Sequence, residues 1–382
     1  MAKVEKLLKR LKFAEDEGNH YESHQIARTI YYRWLELKEH EKLADFLFEK
    51  AVKFQKAGQS AIALDLAELY AGTLSEWGCS VDEKRVEQIA ELLNSIPDEL
   101  DTESGNKDRR ADLFTKFIDW SCKHADSSQI IQKFGHPKIH EVIAESSQNV
   151  GRYDVAKQHF VVSISPEKLA KAVKVIIDNT DEGSESLPSD FFITATALQV
   201  AVTGRIGVAT KFLLEVVSEY KNYNDHPPFR SAALNFCWLC LITLHLRSVE
   251  TFTQTVEAYH PTLHQSQIIM GLVDKIGHRF FGLQPKNRNE MGGGLFGNLL
   301  KGLVSKKPES ETENQSISLD FGDDPLITTY NFNLDQFHAA FQAAEALNPP
   351  QSMQDPEFSD AMEEQPEPPP PASDAQGDMD LD

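Results

Sequence analysis

The sequence of 382 residues has few cysteines, no long apolar run and, after Lys307, no positive charge. Its four cysteines are Cys79, Cys122, Cys237 and Cys240. Their spacing does not match a disulfide framework, which favours a reducing compartment. Residues 1–6 contain no apolar signal-peptide core, and the uncharged run at 231–246 is shorter than the roughly 20 residues of a spanning helix. We therefore expect a soluble cytosolic protein without a membrane span.

Negative charge is concentrated in the C-terminal tail. Of the 59 aspartate and glutamate residues, 18 lie in residues 308–382, where neither lysine nor arginine occurs, so the tail carries most of the net charge of −21. A long acidic surface repels phosphate, and a nucleic-acid partner is not expected. The acidic, proline-rich composition predicts disorder. Within the tail, residues 333–347 place Leu334, Phe337, Phe341 and Ala344 on one helical face, which predicts a single helix that orders on contact.

A glycine turn followed by helix-forming residues occurs four times, at Gly18, Gly58, Gly151 and Gly204. Each turn lies between two amphipathic stretches, and a left-handed glycine lets a helix fold back on the previous one. Helical hairpins repeated along a chain stack into a solenoid, because one hairpin cannot bury its apolar stripe alone. Strand-like alternation is rare. The sequence therefore predicts an all-α protein, with a further helix opened by a capping box at Ser80.

Three patterns that could carry chemistry have simpler explanations. The CxxC of Cys237 and Cys240 lies in an apolar helix, which favours core packing over a redox or zinc pair. The Gly292–Gly297 loop lacks the Gly-Lys-Ser/Thr ending of a phosphate-binding loop and the strand before it.

Two pairs of histidines have metal-ligand spacing at i and i+4. They are His20 with His24 and His136 with His140. Neither pair forms HExxH, and both start helices, where capping and packing explain them. No metal site, no cofactor and no catalytic residue is predicted. A helical metal-dependent hydrolase that uses these histidines remains a distant alternative.

Five separated stretches carry a resemblance to a known family. They are YESHQIART at 21–29, FGHPKIH at 134–140, PPF before an NFCW helix within 227–238, IGHRFFG at 276–282 and GGLFGNLL at 293–300. In this order they resemble the Golgi to ER traffic protein 4 family, a component of the guided-entry pathway for tail-anchored membrane proteins. The resemblance covers about residues 1–305. It implies a TPR-like α-solenoid without catalytic activity.

The resemblance also implies two partners. In this family the N-terminal half docks on the ATPase that carries tail-anchored clients. The C-terminal half holds the N-terminal region of a ubiquitin-like adaptor or, in animals, a large ubiquitin-domain chaperone scaffold. The expected ATPase-docking face contains Lys9, Arg10, Tyr21, Arg28 and Arg33. The expected adaptor-docking face contains Phe280, Phe281, Leu283, Leu295, Phe296, Leu299 and Leu300.

We accordingly expect three parts in the chain: residues 1–150 and 151–305 as the two halves of the solenoid, and residues 306–382 as a disordered tail. The protein is interpreted as a bridging scaffold for client hand-over before insertion at the ER. The alternative is a helical-repeat subunit of another assembly, such as a proteasome-lid-like subunit or a vesicle-fusion adaptor.

Overall fold

The structure is a computed structural model of the chain. It describes residues 2–96, 109–124, 128–180, 187–220, 222–283 and 324–348. Within these ranges the regular secondary structure is entirely α-helical and comprises 17 helices. The predicted all-α solenoid class is confirmed.

The N-terminal half of the chain contains eight of these helices. They are α1 (Ala2–Asp16), α2 (His20–Glu36), α3 (His40–Lys56), α4 (Ser60–Trp77), α5 (Glu83–Ser95), α6 (Arg109–Lys123), α7 (Gln129–Phe134) and α8 (Pro137–Asn149). The cap of α5 differs from the prediction: the side chain of Asp82, not that of Ser80, accepts a hydrogen bond from the Arg85 amide at 2.8 Å.

The remaining helices follow from residue 153. They are α9 (Tyr153–Phe160), α10 (Pro166–Asp178), α11 (Ser189–Val202), α12 (Ile206–Ser218), α13 (Ala232–Leu246), α14 (Val249–Ala258), α15 (His260–Leu263), α16 (Gln267–Phe281) and α17 (Leu334–Leu347).

The four predicted glycine turns are confirmed. Gly18, Gly58, Gly151 and Gly204 have φ of 68°, 74°, 81° and 101°, in the left-handed region that glycine adopts without strain. They join α1 to α2, α3 to α4, α8 to α9 and α11 to α12, and each pair packs together. Lys38, with φ of 57°, makes the turn between α2 and α3. The hairpins therefore stack in chain order.

The buried apolar side chains form two clusters. One runs from Val4 to Ile143 and the other from Ala144 to Ala344. The change from one cluster to the other falls close to residue 150, where the sequence suggested the division into halves. The division itself stays a prediction.

Helix α13 lies at the centre of the second cluster. Its sequence is apolar all round, and Cys237 and Cys240 are both fully buried in it. Core packing of the CxxC pair is confirmed. Helices α11, α12, α14 and α17 pack against α13. A helix that is apolar on every face needs such cover on every side.

Part of the segment that composition assigned to a disordered tail is folded. Residues 324–348 include α17, which begins with a capping box formed by Asn333 and Gln336. Phe337, Phe341 and Ala344 are buried on α13. These three residues belong to the apolar face predicted for this helix. Composition predicted disorder for this segment, but α17 is folded because its apolar side chains are buried against α13.

Candidate partner-binding surfaces

The first hairpin exposes an unusual amount of apolar surface. In the described part of the chain, eight large apolar side chains are exposed, and four belong to this hairpin or the residue that ends it. They are Phe13, Tyr21, Tyr32 and Leu37, with exposed fractions of 63%, 75%, 57% and 50%. Exposed apolar side chains concentrated in one region are typical of a protein-interaction surface.

Tyr21, Arg28 and Tyr32 lie on one face of α2. Their spacing of seven and four residues is that of side chains stacked along a helix. Arg28 Nη1 lies 3.3 Å from Asp65 Oδ1 on α4. The other oxygen of Asp65 lies 2.8 Å from His24 Nε2. A side-chain hydrogen bond with Tyr32, together with the charge of Asp65, raises the pKa of Arg28. Arg28 is therefore positioned on this face in part by its contact with Asp65 on α4.

The other predicted residues of the ATPase-docking face are Lys9, Arg10 and Arg33. Arg10 forms an ion pair with Glu22 at 2.6 Å, and Lys9 is exposed on α1. Arg33 lies 3.4 Å from Glu36. Five residues separate Arg28 from Arg33, which places their side chains about 140° apart around α2. The structure thus brings Tyr21 and Arg28 together and puts Arg33 on another side of the helix.

Three predicted residues of the adaptor-docking face lie at the end of α16. Phe281 packs on Phe252 with ring centroids 4.8 Å apart. Leu283 folds back on Gly277 and donates its backbone amide to the Gly277 carbonyl at 3.1 Å. Phe280 is half-buried beside the same cluster. These side chains contribute to the packing of the C-terminal half. The other four, Leu295, Phe296, Leu299 and Leu300, lie outside the described residues.

A further surface, which sequence reasoning did not find, lies on α12 and α13 beneath residues 324–348. Asp324 is 3% exposed, and its Oδ2 accepts a hydrogen bond from the Gly207 amide at 2.6 Å. Phe332 packs edge-on against Trp238 and His245, with centroid distances of 5.4 and 5.3 Å. Sequence alone gives little signal for a contact between positions 117 residues apart.

The histidines flagged by spacing have partners within the fold. The Nε2 atom of His140 hydrogen-bonds with the Phe134 carbonyl, and its Nδ1 atom lies 2.9 Å from Nδ1 of His159. Burial lowers the pKa of both imidazoles to about 4. His136 caps α8 through the Lys138 amide at 3.3 Å. No group of three or more metal-ligating side chains suited to a metal ion occurs in the described ranges.

None of the helices in the described residues combines the length and the apolar character needed to cross a bilayer.

The sequence is similar to one known protein family. A family model described as Golgi to ER traffic protein 4 matches residues 37–300. The Golgi to ER traffic protein 4 homolog of Homo sapiens is 26% identical over 310 residues, covering 81% of this chain and 90% of the relative. The homolog of Oryzias latipes is 25% identical over 323 residues, covering 83% and 95%.

A solved structure has the same fold. The crystal structure of C. therm. Get4 superposes with a TM-score of 0.61 at 20% sequence identity, covering 81% of this chain and all of that chain. The family model matches residues 37–300, which are more than half of the chain. The chain therefore belongs to the Golgi to ER traffic protein 4 family.

Proposed function

We propose that this protein is a non-catalytic cytosolic scaffold in the targeting of tail-anchored membrane proteins. In this proposal the N-terminal half binds the targeting ATPase. The C-terminal half binds a ubiquitin-like adaptor, or a ubiquitin-domain chaperone scaffold in its place. Membership of the family supports a role in the pathway, and the exposed surface on the first hairpin supports a docking site there.

The single observation that carries the ATPase assignment is the face of Tyr21, Arg28 and Tyr32. It joins two exposed aromatic rings to a guanidinium that forms an ion pair with Asp65. Tyrosine and arginine are enriched among the residues that dominate binding energies at interfaces. Arginine also suits bidentate contacts with carboxylates. An acidic, partly apolar surface on the ATPase is the matching partner.

A scaffold of this kind accelerates hand-over through proximity. With the adaptor and the ATPase bound to one chain, transfer of the client becomes an intramolecular step at a high effective concentration. No covalent chemistry is needed. If the solenoid binds one nucleotide state of the ATPase more tightly, it also shifts the ATPase toward that state.

The experiment is a pair of affinity measurements with full-length protein. Tyr21→Ala with Tyr32→Ala should weaken binding of the ATPase at least tenfold and leave adaptor binding unchanged. Ile268→Ala, which also truncates an exposed apolar side chain but in the C-terminal half, is the matched control and should leave ATPase binding unchanged. Equal loss of both partners in the tyrosine variant would contradict the two-face scheme.

A further inference from the structure

The start of helix α12 lacks an acid of its own. The parallel turns Gly151-Arg152-Tyr153-Asp154 and Gly204-Arg205-Ile206-Gly207 place Gly207 where the earlier hairpin has Asp154. Asp154 lies in the first turn of α9, whereas the first turn of α12 contains no acidic residue. A carboxylate is favourable at a helix N-terminus because the free amides and the helix dipole attract it.

Asp324 supplies that carboxylate from the tail. Its Oδ2 accepts the amide of Gly207 at 2.6 Å, and its Oδ1 accepts the amide of Leu326 at 3.1 Å. The approach depends on glycine: a Cβ added at Gly207 would overlap the backbone of Leu326 and Ile327. The same tail residues therefore provide the acid that α12 lacks and use the space that its glycine leaves.

The rest of the segment covers α13. The rings of Tyr330 and Phe332 stack nearly parallel, with an interplanar angle of 5°, and both contact His245. Helix α17 then buries Phe337 and Phe341, and the Asn348 side chain donates to the Phe229 carbonyl at 3.2 Å. We use the word strap for residues 324–348 and the word groove for the surface of α12 and α13 beneath them.

The strap does not fill the groove. A pocket of about 410 Å³ remains between the two. It is lined on the solenoid side by Ile206, Leu244, His245 and Arg247, and on the strap side by Ile327, Thr328, Tyr330, Asn331 and Phe332. The pocket is open to solvent on one side, so it is a recess beside the strap with room for further side chains.

The groove and the strap also differ in their relation to the family. The matched region, residues 37–300, contains α12 and α13, and the strap begins after it. Because α13 is apolar on every side, its outer face requires a cover. In this chain the strap covers that face, and the strap lies beyond the region that the family model matches.

We propose that residues 324–348 act in cis as a competitor: they occupy the groove on which the ubiquitin-like adaptor docks, so the adaptor binds only when the strap leaves. This inference rests on the proposed function for the identity of the partner, and it places the docking surface on α12 and α13 instead of on the predicted residues Phe280, Phe281 and Leu283 at the end of α16. The docking segment of the adaptor has the chemistry of the strap, with a carboxylate for the start of α12, aromatic rings for Trp238 and His245, and a short amphipathic helix along α13. Adaptor binding then depends on whether residues 324–348 occupy the groove or have left it.

Two independent variants of the full chain release the strap. Gly207→Ala puts a methyl group against the strap backbone while favouring the helical conformation of α12. Phe337→Ser with Phe341→Ser removes the buried contacts from the strap itself. Leu334→Ser with Leu347→Ser is the matched control, because these side chains lie on the same helix with half of their surface exposed. Thermal unfolding of all three confirms that the solenoid is folded.

The first measurement does not involve the adaptor. A fluorescent peptide of residues 322–349 should bind the Phe337→Ser, Phe341→Ser variant at least tenfold more tightly than the parent chain or the control. Gly207→Ala should not gain this affinity, because its methyl group meets the backbone of the peptide as it meets that of the strap. Hydrogen exchange of the Gly207 amide should accelerate in the Phe337→Ser, Phe341→Ser variant. If that variant is folded and gains no affinity for the peptide, an exchangeable groove does not exist.

The second measurement is the affinity for the N-terminal region of the adaptor. Release by Phe337→Ser with Phe341→Ser, which leaves the groove unchanged, should raise this affinity at least tenfold, and the strap peptide should compete. Equal adaptor affinity for the parent, control and release variants would overturn competition in cis while leaving the proposed function intact. The adaptor could also fail to bind any variant while the peptide still binds the released groove. That result would contradict both the proposed partner and its competition with the strap.

Discussion

The guanidinium of Arg28 lies 3.3 Å from the carboxylate of Asp65 and joins the first helical hairpin to the second. Arg28 is therefore a contact within the solenoid as well as part of the exposed face of α2. Arg33 has its charged neighbour, Glu36, on its own helix. Substitutions at these two arginines should therefore differ in how much they disturb the contact between the hairpins.

Charge reversal at Arg28 should reduce both stability and ATPase binding. In Arg28→Glu a carboxylate would face Asp65, and we expect the free energy of unfolding to fall by roughly 1 kcal/mol. Arg33→Glu should cost less than about 0.5 kcal/mol. Urea unfolding of the two variants tests the difference. An equal loss of stability in both would show that the contact between Arg28 and Asp65 contributes nothing.

A buried arginine makes the neighbouring hairpin sensitive to loss of one carboxylate. Arg85 is nearly inaccessible, and its Nη1 lies 2.6 Å from Asp45 Oδ1. Asp45→Ala should lower the free energy of unfolding by about 2–3 kcal/mol, since it leaves a buried cation without its carboxylate. Lys84→Ala, which removes the exposed partner of the same aspartate, should cost about 0.5 kcal/mol. Chemical unfolding compares them, and similar losses would contradict the assignment.

Stability should fall in mild acid because of His140 and His159. Their pKa values are about 4 in the folded chain and near 6.5 when exposed. The unfolded chain therefore binds more protons between these values, so the folded state is progressively destabilised as the pH falls from 6.5 toward 4.

His159→Gln keeps a hydrogen-bond donor for His140 and cannot titrate in this range. We expect it to reduce the stability lost between pH 7 and pH 5 by roughly 2 kcal/mol. Unfolding midpoints at the two pH values provide the measurement. His338→Gln, at an exposed position of α17, should change the loss little. If the two variants behave alike, the buried pair is not the source of the acid sensitivity.

Glycine turns should differ in their tolerance of alanine. At Gly151 no atom lies within 4 Å of an added Cβ, so Gly151→Ala should cost only the left-handed strain of about 1–2 kcal/mol. At Gly204 the Cβ would also meet Arg279 Nη2 at 3.0 Å and Ile130 Cδ1 at 3.1 Å. A greater loss of thermal stability in Gly204→Ala is expected, and the reverse order would contradict the packing described at this turn.

His245 reports on the strap. Burial lowers its pKa to about 4 in the strapped chain. When the strap leaves, water reaches the imidazole, and its pKa should rise toward the ordinary 6.5. Proton NMR titration of Gly207→Ala measures this shift. An unchanged pKa in that variant would mean that the strap is still in place or does not shield the ring.

Local features were readable from the sequence because each depends on neighbouring residues. The left-handed glycines, the buried cysteines of α13 and the apolar face of α17 all follow from short spacings. The cap of α5 was misplaced by two positions because Ser80 and Asp82 both suit a helix start. The exact choice depends on packing.

Contacts between distant residues could not be predicted in this way. Nothing in the tail's acidic composition marks Asp324 as the partner of Gly207, and nothing near Arg28 points to Asp65. Phe280, Phe281 and Leu283 look like docking residues in the sequence, yet half-burial at the end of α16 makes them packing residues too. Such roles depend on how the hairpins stack.

The most direct test of the account is the mass of the complex that full-length protein forms with the targeting ATPase and the ubiquitin-like adaptor together, by light scattering after size exclusion. We predict one complex containing all three, from which Tyr21→Ala with Tyr32→Ala removes the ATPase alone. Binding of the two partners only in separate complexes would contradict a scaffold that bridges them.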